Sequence, residues 1–180
     1  MINSYLYHLV PENMKGSILF PLNELKDKHS ELYNQYVKKY EGRKELMEQI
    51  IPALNCKWND VLHMLAVNPL EVKEALKKTG VNLNWKARFY KIDPAKLNQA
   101  NLSVYLYKKK DTGGQFEIAP SEWEDFKMEK MSEYAAMNPQ TLEYYKDCVK
   151  SDRRCLPFVN LVHILYRGGI DVAGCEILEV

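Results

Sequence analysis

The chain has 180 residues, 46% of them hydrophobic and 27% charged, with a formal net charge of +1 at pH 7. That length and apolar content are enough for one domain, residues 1–180, with a sizeable core, and they exclude a largely disordered chain. The near-neutral balance excludes a general nucleic-acid binder, which would carry a large basic excess.

Tyr5 to Val10 is rich in aromatic and branched apolar residues and reads as the first strand, stopped by Pro11. Met14, Ile18 and Leu19 fall on one helical face and predict a short helix after it. From Asn23 to Tyr40, the stripe Leu25, Leu32 and Tyr36 predicts a long helix, with Lys26, Lys28, Glu31 and Lys38 facing away. Leu46, Met47, Ile50 and Ile51 predict another over Arg43 to Ile51. These helices form an insertion after the first strand. Asn55 to Asp60 is a turn-rich linker, and Val61 to Val67 a continuous apolar strand.

Asn68-Pro69 opens a helix that runs to Lys78 and ends at Thr79-Gly80. Arg88 to Ile92 and Leu102 to Tyr107 read as strands, separated by a single turn from Asp93-Pro94 to Leu97. Lys108 to Gly114 is a basic loop, and Phe116 to Ile118 a short strand. Ser121 followed three residues later by Glu124 has capping-box spacing and predicts a helix to Ala136. Asn138-Pro139 opens the last helix, through Val149. Leu161 to Tyr166 is a strand, Arg167 to Gly169 a turn, and Ile170 to Val180 one or two short strands. The order lacks steady strand–helix alternation. It predicts an α+β fold with a mixed or largely antiparallel central sheet and a helical insertion after the first strand.

Cys56, Cys148, Cys155 and Cys175 include no pair with the two-residue gap of a zinc knuckle or redox motif, and all four read as reduced thiols of a cytoplasmic protein. Met1-Ile-Asn-Ser is not a basic leader, so no signal peptide is expected. No apolar run approaches the ~18–20 residues that span a bilayer, so no membrane insertion is expected.

Three of the four histidines, His8, His63 and His163, sit mid-strand among apolar neighbours. If those strands adjoin and the rings share a face, the imidazoles converge, as general acid and base or as the three ligands of an open zinc site. The plainer reading is a half-buried, hydrogen-bonded ring at each position. Tyr5, Tyr7, Tyr105, Tyr107 and Tyr166 would line an aromatic cleft, or pack as ordinary core and rim.

Tyr7-His8-Leu9-Val10, with Asn13-Met14 and Ile18-Leu19 after it, resembles the opening strand and helix of ADP-ribosyltransferase-like domains, in the branch where a Tyr-His strand precedes a helix of the form Asn-apolar-x-x-Ile-Leu. The closing run Ile164-Leu-Tyr-Arg-Gly-Gly-Ile-Asp-Val172 is similar to the final strands of such domains. The resemblance covers these terminal segments, and the His-Gly-Thr opening of the family is replaced here by His8-Leu9-Val10. It implies a split sheet gripping NAD. Tyr7 and His8 would bind the cofactor near its nicotinamide ribose, Tyr105 or Tyr107 would stack on nicotinamide, and a catalytic glutamate would orient the ribose. Glu117 and Glu176 are the positional candidates for that glutamate. A chain with the histidine but without the glutamate would bind NAD and not transfer ADP-ribose. The alternatives are a non-enzymatic protein-interaction domain, such as a bacterial accessory or effector protein whose partner face is the helical insertion, and a histidine-based metal-dependent hydrolase.

Overall fold

The structure, a computed structural model, describes residues 5–82, 84–108 and 118–180. The first strand, β1 (Leu6–Leu9), forms where its apolar run predicts. The segment after it is not helical. Ile18–Leu19 is a short strand, β2, because its backbone pairs with a distant strand rather than with its own preceding turn. Two helices, α1 (Leu22–Lys28) and α2 (Ser30–Val37), replace the single one predicted over this stretch. The break is at His29, whose φ of −149° and ψ of 70° lie outside the helical region. A 3-10 turn, Lys38–Tyr40, leads to α3 (Lys44–Met47). The helix expected to reach Ile51 stops there. Ile50–Ile51 is instead β3, paired with β4 (Cys56–Lys57) around Asn55 at φ 46°, in keeping with the extended preference of β-branched side chains.

The middle of the chain follows its local signals closely. β5 (Val61–Leu65), α4 (Pro69–Lys78), β6 (Arg88–Ile92) and β7 (Leu102–Tyr105) lie where predicted. Asn68 caps α4 by accepting from the Leu70 N–H at 3.0 Å. The stretch from Ser121 to Ala136 departs most. Its first part is a strand, β8 (Trp123–Asp125), and only α5 (Met131–Tyr134) is α-helical. The local bond forms two residues earlier than the predicted capping box, with the Ala119 N–H donating to Glu122 Oε2 at 3.2 Å. Trp123 then lies opposite Tyr105 on β7. α6 (Pro139–Lys150), capped by Asn138, β9 (His163–Arg167), β10 (Ile170–Asp171) and β11 (Glu176–Glu179) complete the chain.

Seven strands make one sheet in the order β11-β6-β1-β5-β9-β7-β8, with every neighbouring pair antiparallel. The fold is therefore α+β with an antiparallel central sheet and a helical insertion after the first strand. β10 pairs with β2 and β3 with β4 as separate ribbons.

Alternation along the strands divides the core. Leu6, Leu62, Met64, Ile92, Val104, Ile164 and Tyr166 bury one face, which we call the first, against Met131 and Tyr134. On the second face, Tyr7, Leu65 and Phe89 pack against Val72 and Leu76 of α4 and against Tyr144, Tyr145 and Cys148 of α6. The other half of that face, with Val61, Tyr105 and Leu165, is covered by the insertion through Leu22, Tyr40, Leu46 and Ile51. Burial of each of the larger side chains stabilises by about 1.5–3 kcal/mol. The insertion is thus a lid over one half of one face, and the candidate site lies beneath it.

Candidate functional site

β1 and β5 are joined at one registered pair, Tyr7 opposite Leu65. Beyond it, towards Leu9 and Val61, the strands part. A cavity of about 400 Å³ occupies the gap, within the usual size range of small-molecule sites. Its wall draws on both faces of the sheet: His8 and Leu62 from the first, Val61 and His63 from the second. Leu22, Leu25, Leu32 and Tyr36 of the insertion close it from above, and Lys15, His29 and Lys39 also line it.

The 3-10 turn Trp58–Asp60 sets the floor. Asp60 holds it at two points. One carboxylate oxygen accepts from the Lys57 N–H and the other from Asn23 Nδ2, both at 2.7 Å, so the turn is tied to α1. His63 Nε2 bonds the Trp58 carbonyl at 3.0 Å, and the two rings lie 4.5 Å apart. Asn59, between these anchored neighbours, is 2% exposed and lines the cavity.

A carbonyl oxygen only accepts, so the ring nitrogen facing it carries the proton. This assigns the tautomers. His8 donates from Nδ1 to the Leu9 carbonyl at 2.7 Å and keeps Nε2 as an acceptor. His63 donates from Nε2 and keeps Nδ1. His163 donates from Nδ1 to the Leu161 carbonyl at 3.0 Å and keeps Nε2. Burial dominates their protonation. Although the surface of His8 is only partly covered, atoms packed round the ring strip its water and push its pKa down to about 4, with a smaller push from Lys39. His63 is lowered to about 3, first by burial and then by the charges of His163, Lys39 and His8. His163 is lowered to about 4 by burial. At neutral pH all three are uncharged acceptors. Lys39 is exposed as a residue, but its ammonium sits 5.1 Å from the Tyr40 ring centroid, and desolvation and then Arg43 lower its pKa.

The three histidine strands do adjoin, but the rings do not share a face. His63 and His163 lie on the second face, with Tyr7 and Leu65, while His8 lies on the first, opposite Tyr90. A strand alternates its side chains, so the parity of each position decides this, and parity across strands depends on register. Of these three, His8 and His63 line the cavity and His163 does not. Among the described residues no group of three His, Cys, Asp or Glu side chains is placed to hold a metal ion.

The other sequence-predicted residues are distributed as follows. Tyr7 is buried on the second face among Leu65, Phe89 and Tyr144, and desolvation raises its phenol. Tyr105 and Tyr107 stack at 5.4 Å in an aromatic cluster with Trp58, Trp123 and His163, which backs the cavity without lining it. Glu176 is on the edge strand β11, opposite Lys91, and its carboxylate accepts from the Lys91 ammonium at 2.8 Å. It borders a separate cavity of about 460 Å³. Glu117 lies outside the described residues, as do Lys109–Gly114 of the basic loop and Phe116. No carboxylate among the described residues lines the His8 cavity. Glu122 is the only buried carboxylate among them, at 1% exposure, and together with burial it raises the Tyr105 phenol.

Asn59, Tyr36 and Lys39 are the site residues that the sequence reading missed. A lone asparagine in a turn and a tyrosine on a helical stripe carry no spacing that distinguishes them from structural residues. No helix among the described residues is long and apolar enough to cross a membrane. Comparison of the chain with protein-family models, with curated proteins and with solved structures gives no match.

Proposed function

We propose that this chain binds NAD in the manner of an ADP-ribosyltransferase-like domain, with the nicotinamide ribose half in the cavity between β1 and β5. The observation that carries the reading is the position of His8: a neutral imidazole, its Nε2 free to accept, in the wall of an apolar cavity where the sheet splits. A neutral acceptor suits a ribose hydroxyl. Tyr40 and the His63 ring provide aromatic surface for the nicotinamide, and Lys15 and Lys39 supply positive charge for the pyrophosphate.

ADP-ribosyl transfer also needs a carboxylate that stabilises positive charge developing on the ribose. That part of the proposal rests on Glu117. With Glu117 excluded, the reading is NAD binding alone.

Titration calorimetry and thermal melting with NAD test it. At 100 times the dissociation constant, bound NAD adds about 2.7 kcal/mol to stability. His8→Ala weakens binding, and Glu117→Gln abolishes NAD cleavage while sparing binding. No melting shift and no heat at millimolar NAD overturns the reading.

A second reading, a protein-interaction domain, is favoured by Leu9 and Ile18, which line the cavity yet are 52% and 41% exposed. An apolar side chain of a partner would then fill the cavity. Leu9→Lys would abolish such binding whether or not NAD is present.

A further inference from the structure

Asn59 is anomalous within its own turn. On either side the polar groups are engaged: Asp60 accepts from Lys57 and Asn23, and the Trp58 carbonyl accepts from His63. Asn59 is 2% exposed, and neither its Oδ1 nor its Nδ2 has a hydrogen-bond partner. The Tyr36 hydroxyl, above the same cavity, also has none. A buried amide left unpaired destabilises a fold relative to an apolar side chain of the same shape. The surrounding wall makes this sharper, because it is apolar apart from two neutral imidazoles, the tyrosines and the flanking Lys15, His29 and Lys39.

A primary carboxamide offers one acceptor and one donor side by side. Its best match is a second planar amide, which returns a donor and an acceptor in the same arrangement. We infer that Asn59 is the specificity-determining residue of this cavity and that it recognises the carboxamide of the ligand through a pair of hydrogen bonds. Asn59 Nδ2 donates to the ligand carbonyl, and the ligand amide N–H donates to Asn59 Oδ1. Both amide atoms and the Tyr36 hydroxyl are covered as they stand, so pairing with the ligand requires these side chains to turn about their own bonds towards the cavity that their residues line. Tyr36 supplies a third hydrogen bond from its hydroxyl.

This inference rests on the NAD reading, in which the carboxamide is that of nicotinamide. It goes further by predicting which dinucleotide is refused. A carboxylate in place of the carboxamide has no N–H for Oδ1 and sets negative charge against it. It also brings an ion beside His8 and His63, whose imidazoles burial keeps uncharged at neutral pH and which offer it no positive charge, where desolvation is unfavourable. Sites that pair a ligand N–H or O–H reject the analogue lacking it strongly.

The test is titration calorimetry of the full chain with NAD and with nicotinic acid adenine dinucleotide, in wild type, Asn59→Leu and Asn59→Ala. Wild type is expected to favour NAD on the order of 100-fold, the upper scale for leaving one buried polar group unpaired. Asn59→Leu is expected to bring the two ligands to within about threefold while melting at or above the wild-type temperature, since an unpaired amide has been removed. Asn59→Ala carries the same expectation for the ligand ratio if the leucine variant does not fold. Wild type binding NAD with no preference, or a preference that survives both substitutions, overturns the role of Asn59 and leaves the NAD reading standing. Binding of neither dinucleotide to wild type overturns the NAD reading and this inference with it.

Discussion

Tyr7 stands directly opposite Leu65 at the one registered pair that joins β1 to β5, and past it the strands part around His8 and His63. The continuity of the seven-stranded sheet depends on this pair. Leu65 is 4% exposed in the core beneath α4 and α6. Leu65→Ala should cost about 2–5 kcal/mol, the range for truncating a buried leucine. Leu9→Ala, two residues from Tyr7 but 52% exposed, should change stability by less than about 0.5 kcal/mol. Urea denaturation of the two variants measures the contrast, and equal losses would show that the pair does not hold the sheet together.

The histidines make stability pH-dependent in a defined direction. His8 and His163 titrate at about 4 and His63 at about 3 in the fold, against 6.5 in an unfolded chain. As pH falls below 6.5 the unfolded state takes up protons that the folded state refuses. Their stabilising contribution is therefore complete above pH 6.5 and is lost progressively down to the folded values. Each histidine contributes a slope of at most about 1.4 kcal/mol per pH unit. His163→Asn keeps a donor near the Nδ1 position for the Leu161 carbonyl but does not titrate. The variant should show a flatter fall in unfolding free energy between about pH 6 and 4.5. An unchanged slope would mean that His163 is not desolvated.

Gly169 follows β9 in a tight turn that passes beside β2. A Cβ there would meet Ile18 Cγ2 at 3.0 Å, the Leu19 carbonyl oxygen at 3.3 Å and Phe20 Cδ1 at 3.4 Å. The backbone oxygen cannot rotate away, so Gly169→Ala should destabilise by about 1–3 kcal/mol, or roughly 2–4 °C of melting temperature per kcal/mol in a chain of this size. Ile18, Leu19 and Phe20 also line the cavity, so ligand affinity should fall with it. A thermal melt at wild-type temperature would show that the β2–β10 ribbon yields freely.

All four cysteines are free thiols, and Cys56, Cys148 and Cys155 are buried. Burial raises the thiols of Cys56 and Cys175, and that of Cys155 to about 12, aided by its contact with Cys148. Thiolates are the reactive form, so the native chain should resist alkylation at pH 8. Cys175, only partly covered, should react first and the other three on unfolding. Mass spectrometry of partly alkylated protein reads the order, and early labelling of Cys155 would contradict this packing.

Much of the architecture was legible locally. β1, β5, β6, β7 and β9 stand on apolar or alternating runs, and α4 and α6 begin at Asn-Pro steps whose asparagines cap them. These signals act over a few residues, so the chain alone carries them. The histidine at the centre of β1 was legible for the same reason.

The segments read incorrectly were those decided by distant partners. Trp123–Asp125 has a helix-like pattern but becomes β8 because β7 offers an unpaired edge, and Ile18–Leu19 becomes β2 because β10 returns beside it. The site followed the same rule. Alternation alone could not say that His8 and His63 would point to opposite faces and still meet one cavity, since that depends on where β1 and β5 separate. Nor could it distinguish Asn59 from any other turn asparagine. What the chain determined by itself was the set of elements whose hydrogen bonds and apolar stripes close within a few residues. Register, the split between β1 and β5, and the burial of one amide beneath the insertion required the whole fold, because each is set by pairing between residues far apart in sequence.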